Sequence, residues 1–295
     1  MSRWNDNTRG AFLMMLAMAS FTVNDACIKS LAGHMPFFQA VFLRGVATVP
    51  MLVLIARATG GLGWRYERRD CGLVILRSLA EVAAAYLFLT ALFNMPIANA
   101  TAILMALPLS LTLAGALFLG EPVGWRRWTA IAVGFVGVLL IVRPGAEGFN
   151  VYSVYVLLTV ACVTVRDLAA RRLSPDVRSL SVAVAGALAV TVFMGLGSLS
   201  EPWVMPGPRE AALLLGAAVL IIGGYVFSIM TMRVGEIAVV TPFRYTGLVW
   251  ALILGLVVFG DWPSGLTLLG AGLVATTGIY TLYRERRVEE AQSSA

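Results

Sequence analysis

One stretch of this chain returns roughly 140 residues later, and that recurrence limits its fold more than any other feature. Ala19, Thr22, Val23, Asp25, Lys29 and Leu31 align with Ala161, Thr164, Val165, Asp167, Arg171 and Leu173 at an offset of 142. Ile97, Ala98, Thr101, Gly115, Gly120 and Glu121 align with Ile237, Ala238, Thr241, Gly255, Gly260 and Asp261 at an offset of 140. A repeat this long is two copies of one structural unit. The unit is membranous: 59% of residues are hydrophobic and 13% charged, where an ordinary soluble domain carries about 25% charge. If each copy holds an odd number of spans, the second enters the bilayer upside down relative to the first, an arrangement that points to a transporter.

A helix needs roughly 20 apolar residues to cross the hydrocarbon. The apolar runs predict ten spans, over 10–31, 36–56, 72–93, 97–119, 127–142, 151–170, 180–199, 210–231, 236–259 and 264–283. Links such as Asn94-Met95-Pro96 and Gly260-Asp261-Trp262-Pro263 force antiparallel neighbours and leave no room for a soluble domain. The first run is about 20 residues long with no clear cleavage site, so it reads as a retained span, not a signal peptide. The net charge of +6 comes from short basic loops, a topology signal and not a nucleic-acid surface. With the N-terminus inside, fifteen basic residues fall on the cytoplasmic side, and only Arg143 and Arg209 fall outside. Both termini are therefore expected in the cytoplasm. The repeat agrees: the loop around Glu121, Arg126 and Arg127 is basic, while its counterpart around Asp261 has no basic residue. The predicted fold is an all-α membrane protein of ten helices in two inverted five-helix repeats, 8–142 and 151–283, followed by a cytoplasmic tail, 284–295.

The sequence resembles the ten-span drug/metabolite transporter superfamily and its EamA-type repeats. The resemblance covers nearly the whole chain. It rests on Asn24-Asp25-Ala26 with Lys29 in span 1, Arg44-Gly45 in span 2, and Pro96-Ile97-Ala98-Asn99-Ala100 opening span 4. The Gly120-Glu121-Pro122 turn and Gly134-x-x-Gly137 of span 5 complete it. Within that superfamily, Asn7-Thr8-Arg9-Gly10 and Phe21-Thr22-Val23-Asn24-Asp25-Ala26 look most like bacterial riboflavin permeases. The resemblance implies a multi-pass protein of the bacterial inner membrane, monomeric or homodimeric. Riboflavin uptake is the first substrate reading, and export of amino acids or related metabolites the second.

Eight charged residues lie within the spans: Lys29, Arg44, Arg77, Arg166, Arg244, Asp25, Glu81 and Asp167. Each costs at least ~2.5 kcal/mol at mid-bilayer unless paired or hydrated. Asp25 and Lys29 are four apart, as are Asp167 and Arg171, so each pair shares a helix face. They are matched elements near two alternating gates, with Arg44 the expected partner of Asp25, or else Lys29 and Arg171 simply snorkel to their interfaces. Glu81 is the carboxylate nearest the bilayer centre; it serves proton coupling or substrate binding, or forms a structural pair with Arg77 one turn away. Arg244 stands beside Phe243 and Tyr245, and its repeat counterpart is Leu104, so the fold does not require the charge. A guanidinium next to rings can grip a carboxylate or carbonyl and stack on a flat ring. The basic excess favours an anionic or acceptor-rich cargo. Tyr86, Phe88, Tyr225, Phe227 and Trp250 are candidates for the same cavity. Together with Asn24, Asn99, Arg166 and Tyr245, these make up the expected pathway.

Pro108 and Pro242 are expected to kink spans 4 and 9. Spans 5 and 10 lack charge and carry small-residue patterns (Gly134-x-x-Gly137 and Gly270-Ala271-Gly272), so they are assigned to scaffold or dimer contact. Spans 1, 3, 4, 6, 8 and 9 are expected to face the pathway. The leading function is secondary transport of a small metabolite, with no cofactor. No Walker-type phosphate loop appears, which argues against an ATP-driven pump. An enzyme is not expected, since the sole histidine, His34, sits in a loop and no two acids share an evident site. The three cysteines, Cys27, Cys71 and Cys162, read as small buried hydrophobes. A channel is the remaining class, distinguished by faster flux and no counterflow.

Overall fold

A computed structural model describes residues 6–59, 62–63, 67–118, 120, 124–143, 150–174, 176–234 and 237–293, and these residues form helices and short connections with no strand. The first three spans are continuous: α1 (Asp6–Lys29), α2 (Phe37–Ala58) and α3 (Arg68–Asn94). The fourth is broken into α4 (Ile97–Leu104) and α5 (Leu107–Phe118). Then follow α6 (Trp125–Val142), α7 (Tyr152–Arg171), α8 (Ser179–Ser198) and α9 (Pro208–Val234). The ninth span is again broken, into α10 (Ile237–Val240), a 3₁₀ turn (Thr241–Tyr245) and α11 (Thr246–Phe259). The last helix, α12 (Gly265–Ser293), runs past the expected end of span 10. Among the described residues nine segments are long and apolar enough to cross a membrane, and the apolar part of α12, Gly265–Thr281, is shorter. Glu121 and Pro122 of the expected turn, and Arg3 and Arg65 of the basic loops, lie outside the described residues.

Both breaks fall where proline was expected to act. Pro108 is the second residue of α5, where a missing N–H costs nothing because first-turn donors have no partner within the helix. Pro242 sits inside the 3₁₀ turn, the tighter geometry a span adopts when its i→i−4 ladder is interrupted.

Lys29 does not pair with Asp25. Its ammonium donates to the carbonyls of Leu92 at 2.9 Å and Met95 at 2.7 Å, closing the C-terminus of α3, and its charge lies over the Phe259 ring. The end of α3 leaves carbonyls that no backbone N–H reaches, and a terminal cation answers both the hydrogen bonds and the helix dipole. Lys29→Met is expected to lower stability by about 1–3 kcal/mol through these two acceptors, measured as a fall in the thermal midpoint in detergent.

The halves interlock. α1 packs along α9, α3 along α7, α6 along α12 and α2 along α8, so each major contact joins a helix before residue 143 to one after residue 152. The large core clusters mix both halves in the same way: Ile103 and Leu109 pack with Val274, and Ile28 and Leu92 with Met194. Small residues permit the closest crossing. A Cβ on Gly137 would stand 2.8 Å from the Gly270 carbonyl oxygen, so α6 and α12 touch through backbone. These glycines therefore serve a contact inside the chain.

Loops expected to share a side do meet. At one end Glu201 accepts from the backbone N–H groups of Phe38 and Gln39, Arg209 lies 3.4 Å from His34, and Arg143 reaches Ser264. At the other end the Gly63 N–H donates to Ser181, the Ser174 N–H to Asp70, and Arg172 to the Phe118 carbonyl. The basic loops around Arg57, Arg68, Arg126 and Arg178 belong to this second end.

Candidate functional site

A central cavity of about 400 Å³ lies between the halves. Both broken spans open onto it, α4–α5 through Thr101, Leu104, Met105 and Leu107, and span 9 through Arg244 and Gly247. Helix breaks suit such a place, because irregular backbone at membrane depth is tolerated where it borders a cavity. Spans 1, 3, 4, 6, 8 and 9 all contribute lining, and none comes from α6 or α12. Two further spans also line it. α2 supplies Val41, Arg44, Gly45, Thr48, Val49 and Leu52, and α8 supplies Ala183, Ala187, Val190 and Thr191. Gly45 lets α2 press against Thr191 of α8, and that crossing carries both helices to the cavity wall.

Of the expected pathway residues, Asn24, Asp25, Arg44, Arg77, Glu81, Arg166 and Arg244 line this one space. The aromatic candidates Phe88 and Tyr225 join them. Position 24 and its repeat counterpart, 166, make the same local contact. Asn24 Nδ2 donates to Asp25 Oδ1 at 2.9 Å, and Arg166 Nε donates to Asp167 Oδ1 at 2.8 Å. Each then reaches a second helix with opposite polarity. Asn24 Oδ1 accepts from Arg44 at 3.4 Å, whereas Arg166 donates to Glu81 at 3.2 Å. Arg44 thus meets Asp25, its expected partner, through the Asn24 amide.

Arg77 stands 3.6 Å from Glu81 along one face of α3, the predicted i,i+4 pair, and it also donates to the Val182 carbonyl of α8. Glu81 is not settled by that pair alone, because Arg166 of α7 takes its other oxygen. Two carboxylates, Glu81 and Asp167, therefore share one guanidinium, correcting the expectation that no two acids meet. The sequence could not place them together: they lie 86 residues apart on different helices. Gly186 of α8 backs the pair, its ideal Cβ position 3.1 Å from the Arg77 guanidinium.

Arg244 sits in the 3₁₀ turn that breaks span 9; it is exposed, and the cavity is what it is exposed to. Tyr225 is 37% exposed on the same surface, with its ring set edge-on to Phe21 at 5.5 Å. Six expected residues lie elsewhere, and one of them, Phe227, packs against the cluster of Met14, Ala17 and Met18. Tyr86 stacks on Phe38 and meets Phe37 and Phe193 in an aromatic cluster beside the cavity's α2–α3–α8 end. Tyr245 is buried with its hydroxyl against Gly278 of α12. Asn99 lies in the first turn of α4, Trp250 is on an exposed face of α11, and Asp167 stands behind Arg166. Thr48, Thr191, Met18 and Met105, which the sequence did not single out as pathway residues, line the cavity. Thr48 carried a usable signal, one turn from Arg44 on α2; the uncharged residues of α8 carried none. Among the described residues no group of His, Cys, Asp or Glu could hold a metal ion.

Known proteins agree with this geometry. Residues 8–143 match the EamA-like transporter family. An S-adenosylmethionine uptake transporter of Rickettsia conorii is 25% identical, with 92% of each chain covered. A riboflavin transporter of Vibrio cholerae is 29% identical over 90% of each chain, and a pseudopaline exporter of Pseudomonas aeruginosa is 26% identical over 92% of this chain and 94% of that one. A solved crystal structure at 20% identity superposes with a TM-score of 0.65 over 96% of this chain and 99% of that chain, which establishes the shared fold. The three relatives carry different cargoes, so kinship supports small-metabolite transport and leaves the cargo to the cavity. The chain is a multi-pass membrane protein whose residues 8–143 match the EamA-like transporter family, and over most of its length it is similar to small-metabolite transporters, consistent with the drug/metabolite transporter superfamily.

Proposed function

We propose that this protein is a secondary transporter of a small metabolite in the bacterial inner membrane, working by alternating access between two inverted five-helix repeats. The observation that carries the reading is a charged cavity walled by eight spans drawn from both halves. The helix contacts support the repeat. Exchange each span with the one five later: the α1–α9 contact becomes α7–α3, α2–α8 and α6–α12 return themselves, and both spans broken at the cavity exchange with each other. Rocking one half against the other opens such a cavity to each side in turn. The end bearing Arg57, Arg68, Arg126 and Arg178 faces the cytoplasm, by the positive-inside rule.

Two cargo readings stand. Riboflavin uptake is favoured by relatives named as riboflavin transporters at 27% and 29% identity. Export of amino acids or related metabolites is favoured by Arg244, a guanidinium facing the cavity without an ion pair. Radiolabelled riboflavin uptake in a flavin-auxotrophic host, with unlabelled amino acids as competitors, separates them. Counterflow in proteoliposomes separates a carrier from a channel: absence of exchange ends the alternating-access reading.

Glu81 is the proposed coupling group. It joins α3 to α7 through Arg166, with Arg77 on its own helix and Tyr225 facing it from α9. Glu81→Gln is expected to slow uptake at least ~10-fold and flatten its pH dependence, as loss of a charged hydrogen-bond acceptor implies. Full rate with an unchanged pH profile removes Glu81 from coupling.

A further inference from the structure

Resting on the transporter reading, we infer that the cargo presents one anionic group, a carboxylate or its equivalent, to Arg244, and that this anion decides which metabolites the cavity accepts. The inference comes from how the cavity's charges are matched. Arg77 and Arg166 are met by Glu81 and Asp167 at 2.8–3.6 Å. Arg44 and Asp25 are joined by the Asn24 amide, which donates to one and accepts from the other. Four guanidiniums thus stand against three carboxylates, and among the described residues Arg244 makes no ion pair and no hydrogen bond: Asp167, the carboxylate whose field reaches it, is already bonded to Arg166.

An unmatched cation at membrane depth is costly, and a bound anion removes that cost where a neutral cargo leaves it in place. The backbone that carries the charge is held by local contacts. Arg244 stands on a short 3₁₀ turn stiffened by Pro242, and the Thr246 hydroxyl closes the turn on the Phe243 carbonyl at 2.6 Å. A planar guanidinium offers two parallel donors, which a carboxylate fits better than a single carbonyl does. Its repeat counterpart, Leu104, lines the same cavity, and Met18, Phe21 and Met105 add apolar surface. The cargo therefore has an anionic head and an apolar or aromatic body. No cationic group is demanded of it, because Asp25 already faces Arg44. Here the two cargo readings part: an isoalloxazine ring brings acceptors without charge, and an amino acid brings a carboxylate.

The test uses the full-length protein in lipid nanodiscs and matched probes that differ only in charge. Phenylalanine is set against phenylalaninamide, 3-phenylpropionate against 3-phenylpropionamide, with riboflavin as the neutral heterocycle. Binding is read as the concentration needed to raise the thermal midpoint. At least one acid is expected to bind about 10- to 100-fold tighter than its amide, the worth of a charge-assisted hydrogen bond. Arg244→Leu is expected to erase the difference, and Arg244→Lys, which keeps the charge but not the fork, to retain part of it. No acid binding better than its amide overturns the inference, as does an acid preference that survives in Arg244→Leu. Proteoliposome counterflow reads the transporter proposal separately. Acid-selective binding without exchange defeats transport and leaves the anion site standing; riboflavin exchange without acid preference does the reverse.

Discussion

Arg166→Met is expected to lower transport by about 100-fold or more and to cut the thermal midpoint, because one side chain leaves two carboxylates behind. Asp167 loses the guanidinium bonded at 2.8 Å, and Glu81 keeps only Arg77 at 3.6 Å. Removing one partner of a fully buried pair costs about 3–5 kcal/mol. That range is an upper bound here, since the Arg166 and Asp167 side chains are 24% and 33% exposed. The functional loss is larger than the structural one because Arg166 is also the tie between α7 and α3, helices from opposite halves. A double variant, Arg166→Met with Asp167→Asn, is expected to recover much of the thermal midpoint without restoring transport. Wild-type flux in Arg166→Met defeats the claim that this cluster belongs to the pathway.

Gly270→Val is expected to have the opposite profile, a large loss of stability with the cavity chemistry untouched. Its Cβ would stand 2.5 Å from the Gly137 carbonyl oxygen and 2.8 Å from Ile141 Cγ1. The first neighbour is backbone, so α6 and α12 must separate. Overpacking of this kind costs about 1–3 kcal/mol, and the branched side chain puts Val at the upper end. Helices in lipid gain little from hydrophobicity when they associate, since the tails are as apolar as the side chains, and close packing provides most of the attraction. The fall in thermal midpoint is therefore expected to exceed that of Gly272→Val, whose Cβ would meet no atom within 4 Å. Whatever folded Gly270→Val protein survives is expected to keep the wild-type acid preference, because no cavity residue comes from either helix. Equal stability of the two variants defeats the account.

How far the site could be read in advance depended on whether its residues announce themselves locally. The intramembrane arginines and acids stood out because a charge inside an apolar run is rare and costly, and the structure brings Asp25, Arg44, Arg77, Glu81, Arg166 and Arg244 to one cavity. Aromatics did not announce themselves in this way. Tyr86 and Trp250 look like Phe88 and Tyr225 in sequence, yet one pair packs or faces outward and the other lines the cavity. Threonines are common in membrane helices, where their hydroxyls bond their own backbone at i−4, so nothing local marks Thr191 as a pathway residue, whereas Thr48 stands one turn from Arg44.

The helical class, the apolar segments and the places where spans 4 and 9 break were legible in the residues alone. Each of these follows from composition, period or a proline, properties that neighbouring residues carry with them. Only the tertiary structure decided who partners whom. It gave Lys29 to the end of α3, set Asn24 between Arg44 and Asp25, put Glu81 and Asp167 on one arginine, and left Arg244 facing the cavity unmatched. Such pairings join residues far apart in the chain, and a charge buried in lipid bonds whatever opposite group the packing brings within reach. The pattern of runs cannot carry that information, because it depends on the angle and depth at which separate helices cross.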